Sequence, residues 1–173
     1  MRQIVFLRQI DIPLKKQIQD LIRHLGYDFT IFGDLEKHIG EDVLECSING
    51  FQIDFIVLFD GANIVLSVTE LQWIKPDLRN QDTAISFVCA KDLPTSVCIG
   101  LILVALIDLS NALVYDIDNK MKYTREILIT ETLEFLSELD KQTITLSQER
   151  EKQTKISNKK NSTFRSRLKN IFQ

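Results

Sequence analysis

The chain has 173 residues, 45% hydrophobic and 26% charged, proportions of one globular domain with a short appendage and not of a disordered or fibrous chain. The formal net charge of −3 hides a division: residues 1–151 carry 14 Lys and Arg against 24 Asp and Glu, whereas residues 152–173 carry seven basic side chains and no acid. An acidic body repels nucleic acid and anionic membrane and attracts basic protein, and the tail does the opposite.

In chain order, Ile4 to Ile10 is apolar and β-branched enough for a first strand. Asp11 is a candidate cap and Pro13 a first-turn residue for a helix whose apolar stripe is Leu14, Ile18, Leu21, Ile22 and Leu25, ended by Gly26. Tyr27 to Phe32 reads as a short second strand. The segment 41–73 reads as a three-strand meander, turned at Asn49-Gly50 and Asp60-Gly61, because these pairs supply the positive φ of two-residue hairpins. Its central strand alternates Phe51, Ile53, Phe55, Val57 and Phe59 on one face, and Ile56 and Leu58 make its far end apolar on both. A polar loop follows at 74–82, then a strand at 83–90.

Asp92 and Pro94 open a buried helix that runs to about Asn111. Its unbroken apolar run stops at Ile107, about half of the roughly 20 residues a membrane span needs. The opening residues lack the anatomy of a signal peptide, so the expected compartment is the cytoplasm. A strand at 113–117 and a closing helix at 124–139, with Ile129, Leu133, Leu136 and Leu139 as its stripe, complete the body. The expected class is therefore α+β: a largely antiparallel sheet with helices packed on one face. The domain is expected to span 1–141, followed by a mobile linker at 142–163 and a basic amphipathic tail at 164–173.

Marks of catalysis are missing from the sequence. It contains no GxSxG, HExxH, P-loop or GxGxxG, and neither His24 nor His38 is arranged with a nucleophile. Cys46, Cys89 and Cys98 have no metal-ligand spacing and read as small buried hydrophobes in a reducing compartment. The acids lack the oxygen ladder of a calcium loop. No enzyme activity, cofactor or metal is expected.

The candidates are contact residues. Trp73 stands beside a long loop of mixed charge that contains Asp77, Arg79 and Asp82, and Asp116 and Asp118 lie at the end of a strand. Nucleic acid is disfavoured as a partner, membrane would be reached only through the tail, and a homodimer stays open.

The order Trp73, then residues 82–88 (DTAISFV), an Ala/Leu-rich helix, residues 114–118 (VYDID) and Tyr123 resembles small bacterial immunity proteins. Those are cytosolic antidotes to polymorphic or type VI secreted toxins. The resemblance covers residues 70–140 and implies a non-enzymatic protein that occludes a toxin's active site. The helix–hairpin–helix–helix order is also similar to class I chaperones of type III secretion, which dimerise and hold an effector. The extra first strand and the strand at 83–90 depart from that second pattern. The expected function is one-to-one binding of a basic toxin domain through an acidic surface. The alternative is an effector-binding chaperone.

Overall fold

The computed structural model describes residues 2–33, 40–139 and 141. The chain divides into two compact units, Met1–Leu136 and Ser137–Gln173. The first is an α+β unit; the expected linker and basic tail, with His38, Asp34 and Glu36, lie outside the described residues.

Among the described residues, seven strands form one sheet: β1 (Arg2–Leu7), β2 (Phe29–Ile31), β3 (Gly40–Ile48), β4 (Phe51–Gly61), β5 (Thr83–Val88), β6 (Leu113–Asp116) and β7 (Met121–Tyr123). Their spatial order is β2-β3-β4-β5-β1-β6-β7, and every pairing is antiparallel. The first strand thus sits deep in the sheet, and Ile4, Val5, Phe6 and Leu7 are all buried because both of its faces are covered.

Helix α1 (Lys15–His24) buries Ile18 and Ile22, while Leu14 and Leu25 at its ends are exposed. Asp11 does not cap it. That carboxylate is held by the Arg8 guanidinium, and the backbone N–H of Leu14 donates instead to Gln17 Oε1 at 2.8 Å. Gly26 ends the helix at φ +95°, as expected. Asn49 and Gly50 turn the β3–β4 hairpin at φ 47° and 85°, which only a type I′ turn requires of both residues.

The third meander strand does not exist. Gly61 is extended at φ −65°, so Asp60-Gly61 makes no hairpin. The chain instead leaves the sheet through α2 (Ala62–Val65) and a 3-10 segment (Thr69–Asp77), and returns to pair Thr83 with Gly61. The excursion is closed at its base by Ala62 N–H donating to the Asp82 carbonyl at 2.8 Å. Its buried residues, Ala62, Val65, Leu71 and Ile74, recur in threes and not in twos, the spacing of a helical segment lying on a sheet. They pack on Ile4, Phe6, Ala84 and Tyr115, with Trp73 partly buried beside them.

The other face of the sheet carries the long helices. Helix α3 (Leu93–Ser110) starts at Asp92, whose side chain accepts from Thr95 N–H at 2.9 Å, and ends at Asn111 in the left-handed region. Its length and mean hydropathy of 2.1 would suit a membrane span, yet 67% of it is buried inside the fold; it is a core helix. Cys46 and Cys98 are buried as free thiols, and the hydrogen bond with Cys46, then burial, pushes the Cys98 thiol well above its ordinary value.

Two elements differ from the sequence expectation near the end of the body. Residues 121–123 form β7, hairpinned to β6 through a loop in which Lys120 has φ 51°. The closing helix α4 covers 125–139 and buries Leu128, Thr132, Leu136 and Leu139; the expected Leu136 and Leu139 are buried, whereas Leu133 is 53% exposed and Ile129 only half-buried. Only the first half of the stripe is shifted by one residue, to Leu128 and Thr132, where α3 offers Gly100. A Cβ on Gly100 would lie 2.3 Å from Thr132 Oγ1, so only glycine lets the two helices approach this closely.

Candidate functional site

Strand β6 alternates, so Tyr115 and Asp116 leave the sheet on opposite faces. Their surroundings differ in kind. Tyr115 is fully buried, flanked edge-on by Phe6 with centroids 5.9 Å apart and by Trp73 at 5.5 Å. Its hydroxyl donates to Asp77 Oδ2 at 2.8 Å, and Lys122 Nζ donates to the same oxygen at 3.0 Å. Hydrogen bonds from Lys122 and then Tyr115 hold the Asp77 carboxyl below its ordinary range. Burial, then the Asp77 carboxylate, pushes the Tyr115 hydroxyl far above the usual tyrosine value. The hydroxyl and ammonium donors match the carboxylate here and the cluster clamps the 69–77 segment to the sheet, while the neighbouring Trp73 indole N–H is enclosed without an acceptor.

On the other face Asp116 is 3% exposed and holds the β6–β7 loop. Its Oδ1 accepts the Asn119 backbone N–H at 2.9 Å, and its Oδ2 accepts Asn119 Nδ2 at 2.9 Å and the Tyr123 hydroxyl at 3.3 Å. The cross-strand partner of Asp116 in the register is Gln3. Directly opposed residues of an antiparallel pair project from the same face with their Cβ atoms about 5 Å apart. Gln3 is 5% exposed, and its Oε1 is enclosed without accepting a hydrogen bond.

Both residues line a cleft of about 500 Å³. Lys91, Asp92 and Ser96 line it from the entry to α3, Asp118 and Asn119 from the β6–β7 loop, and Glu131 and Glu134 from α4, with Asp118 and Glu134 exposed and Glu131 half-buried. Lys91 Nζ lies 3.7 Å from Asp118 Oδ2. The Tyr123 hydroxyl is raised far above the tyrosine range by burial first, then by its hydrogen bond to Glu131, with Asp116 adding to the effect. Among the described residues, five carboxylates (Asp92, Asp116, Asp118, Glu131, Glu134) thus share the cleft with one ammonium group. Among the described residues no group of His, Cys, Asp or Glu is arranged to hold a metal ion. The cleft can accept hydrogen bonds and attract cationic groups.

The six residues singled out from the sequence are therefore divided. Asp116 and Asp118 belong to the cleft. Trp73 and Asp77 lie against the opposite face and lock the excursion. Asp82 is at the far end of the strands, where it accepts Gln9 N–H at 2.7 Å and the Thr83 hydroxyl at 3.0 Å. Arg79 is exposed on the return loop, its backbone N–H bonded to Gln81 Oε1 at 2.9 Å. Sequence reasoning missed Gln3, Tyr123 and Glu131. Gln3 had a signal: it is the one amide in an otherwise apolar run, Ile4–Leu7, and a polar residue entering a fully buried strand asks for a partner. Glu131 sits beside Leu128 and Thr132 on the buried side of α4, a side that only the Gly100 contact selects.

Compared with protein-family models, curated proteins and solved structures, the chain has no match.

Proposed function

We propose that this chain is a non-enzymatic protein-binding protein of the bacterial cytoplasm, an immunity-type antidote that holds a basic toxin domain one-to-one. The observation that carries this reading is the cleft beside Asp116, where five carboxylates face one lysine on a body whose first 151 residues carry ten more acids than bases. Such a field speeds the encounter with a cationic partner and orients it. Asp118 and Glu134 stand on the cleft's open side and meet the partner first. Trp73 and Asp77 are freed from contact duty by this reading, since the Asp77 carboxylate and the Trp73 ring are engaged inside the fold.

The test is affinity capture with the full chain at low and at high salt. One stoichiometric basic protein retained in low salt and released in high salt is expected. Reversing two rim charges, Asp118→Lys with Glu134→Lys, should weaken that complex by about tenfold or more. Unchanged affinity in low salt would remove the cleft from the contact.

One observation favours the chaperone-type alternative. Val43 is 53% exposed, and the register places it in a row with half-buried Ile56 and Val88 on the sheet face beyond the 62–82 excursion. A chaperone of that type would be a homodimer, so sedimentation across a concentration series separates the two readings.

A further inference from the structure

The cleft does more than collect negative charge, and Gln3 shows why. A buried amide oxygen without a donor forfeits its hydration for nothing, so a native chain rarely keeps one unless something supplies the donor. Here the orphan oxygen belongs to the cross-strand neighbour of Asp116, itself only 3% exposed. The Asp116 carboxylate uses its contacts to Asn119 and Tyr123 to hold the loop, and Gln3 Oε1 is left with nothing. Gln3 and Asp116 thus lie side by side at the base of an acidic cleft. The last torsion of a glutamine side chain is soft, so the Gln3 carboxamide, which lines the cleft, can turn its oxygen to the lumen when a donor arrives there.

A point cation would be drawn to the carboxylates but would leave the neutral amide oxygen out of account. A planar group with several N–H donors fits better. A guanidinium carries five donors in a fixed fork, is more weakly hydrated than an ammonium, and can donate to a carboxylate and an adjacent amide together. Glu131, which lines the same cleft from α4, would complete the charge balance. Resting on the antidote reading above, we infer that the cleft receives one arginine side chain of the basic partner, its guanidinium donating to Gln3 Oε1 and to the carboxylates of Asp116 and Glu131. The rim acids steer the partner, and the buried amide selects arginine over lysine.

The experiment titrates the full chain with hexa-arginine and with hexa-lysine peptides in low salt, following the side-chain amide resonances of Gln3 by NMR and the affinity by calorimetry. Hexa-arginine should bind about fivefold or more tightly than hexa-lysine and shift the Gln3 amide signals. Gln3→Met keeps the side chain's length and removes its oxygen. It should cost hexa-arginine about tenfold in affinity while leaving hexa-lysine nearly unchanged. Glu131→Gln supplies a second variant if Gln3→Met folds poorly, with a loss of similar size for hexa-arginine. Asp54→Asn and Asp60→Asn, exposed on the opposite sheet face, should change neither affinity. Equal affinities for the two peptides, with Gln3 signals unmoved, would overturn the arginine site and leave the acidic binding surface standing. Absence of binding by either peptide would overturn both.

Discussion

Two clusters meet at neighbouring residues of one strand and show what the same chemistry does in different balance. At Tyr115 a hydroxyl, a carboxylate and an ammonium are matched, and the result is a clamp that holds the 62–82 excursion on the sheet. At Asp116 a hydroxyl, carboxylates and an amide are mismatched, with more acceptors than donors, and the result is an open cleft with an orphan oxygen. A polar cluster whose partners are complete contributes to stability, and one whose partners are incomplete is available for binding. The contrast predicts that damage to the first should be read in folding and damage to the second in binding.

The largest effect should come from Tyr115→Ala. It empties a site packed between Phe6 and Trp73 and removes the donor to Asp77, at a cost of about 3–5 kcal/mol by urea unfolding. Tyr115→Phe keeps the ring and should lose only about 1 kcal/mol; a loss as large as that of alanine would mean that the hydroxyl, not the packing, makes the clamp. Gly100→Ala probes the wall behind the cleft. The new methyl meets Thr132, so a loss of about 1–3 kcal/mol is expected. Thr132→Ala in the same chain should restore part of it, a coupling that a double-mutant cycle measures directly.

Gln3→Met sharpens the comparison by its sign. Removing an unpaired buried oxygen should leave stability unchanged or raise it by about 1 kcal/mol, even as binding weakens. A marked destabilisation would show that the amide already has a structural role, and the two clusters would then be alike.

The smallest effects are those of pH. The Asp77 carboxyl is depressed, so the stability it contributes is present above the unfolded value of 3.8 and is lost as the pH falls through the lower folded value. Asp77→Asn should flatten that acid slope slightly. Tyr115 and Tyr123 are raised, so their contribution is complete below about pH 10 and lost as the pH rises beyond it, when the unfolded chain ionises and the folded one resists. Stability followed by circular dichroism should fall at the alkaline end, and by less in Tyr115→Phe.

Local signals in the sequence located several elements well. The stripe at Ile18 and Ile22, the Asn49-Gly50 turn, the Asp92 cap and the Asn111 end of α3 are decided by a few neighbouring residues, and the fold obeys them. The Asp60-Gly61 pair misled because a turn-forming dipeptide does not oblige the chain to turn: the residues beyond it recur in threes, which suits a helical segment across Phe6 and Ala84 better than a strand. Strand β7 was invisible at three residues, too short to show a period. Of the candidate site, Asp116 and Asp118 were legible as acids at a strand end, whereas the grouping of Trp73 and Asp77 with them was an inference from closeness in charge and loop position.

By itself the sequence determined the α+β class, the acidic body, the buried apolar helix and the lack of any familiar catalytic pattern, because each follows from composition or from the spacing of near neighbours. Only the tertiary structure decided which carboxylates belong together. Strand alternation sends residues 115 and 116 to opposite faces, and the pairing of β1 with β6 sets Gln3, more than a hundred positions away, beside Asp116. Side-chain partners across a sheet are chosen by register, and register is a property of the whole fold.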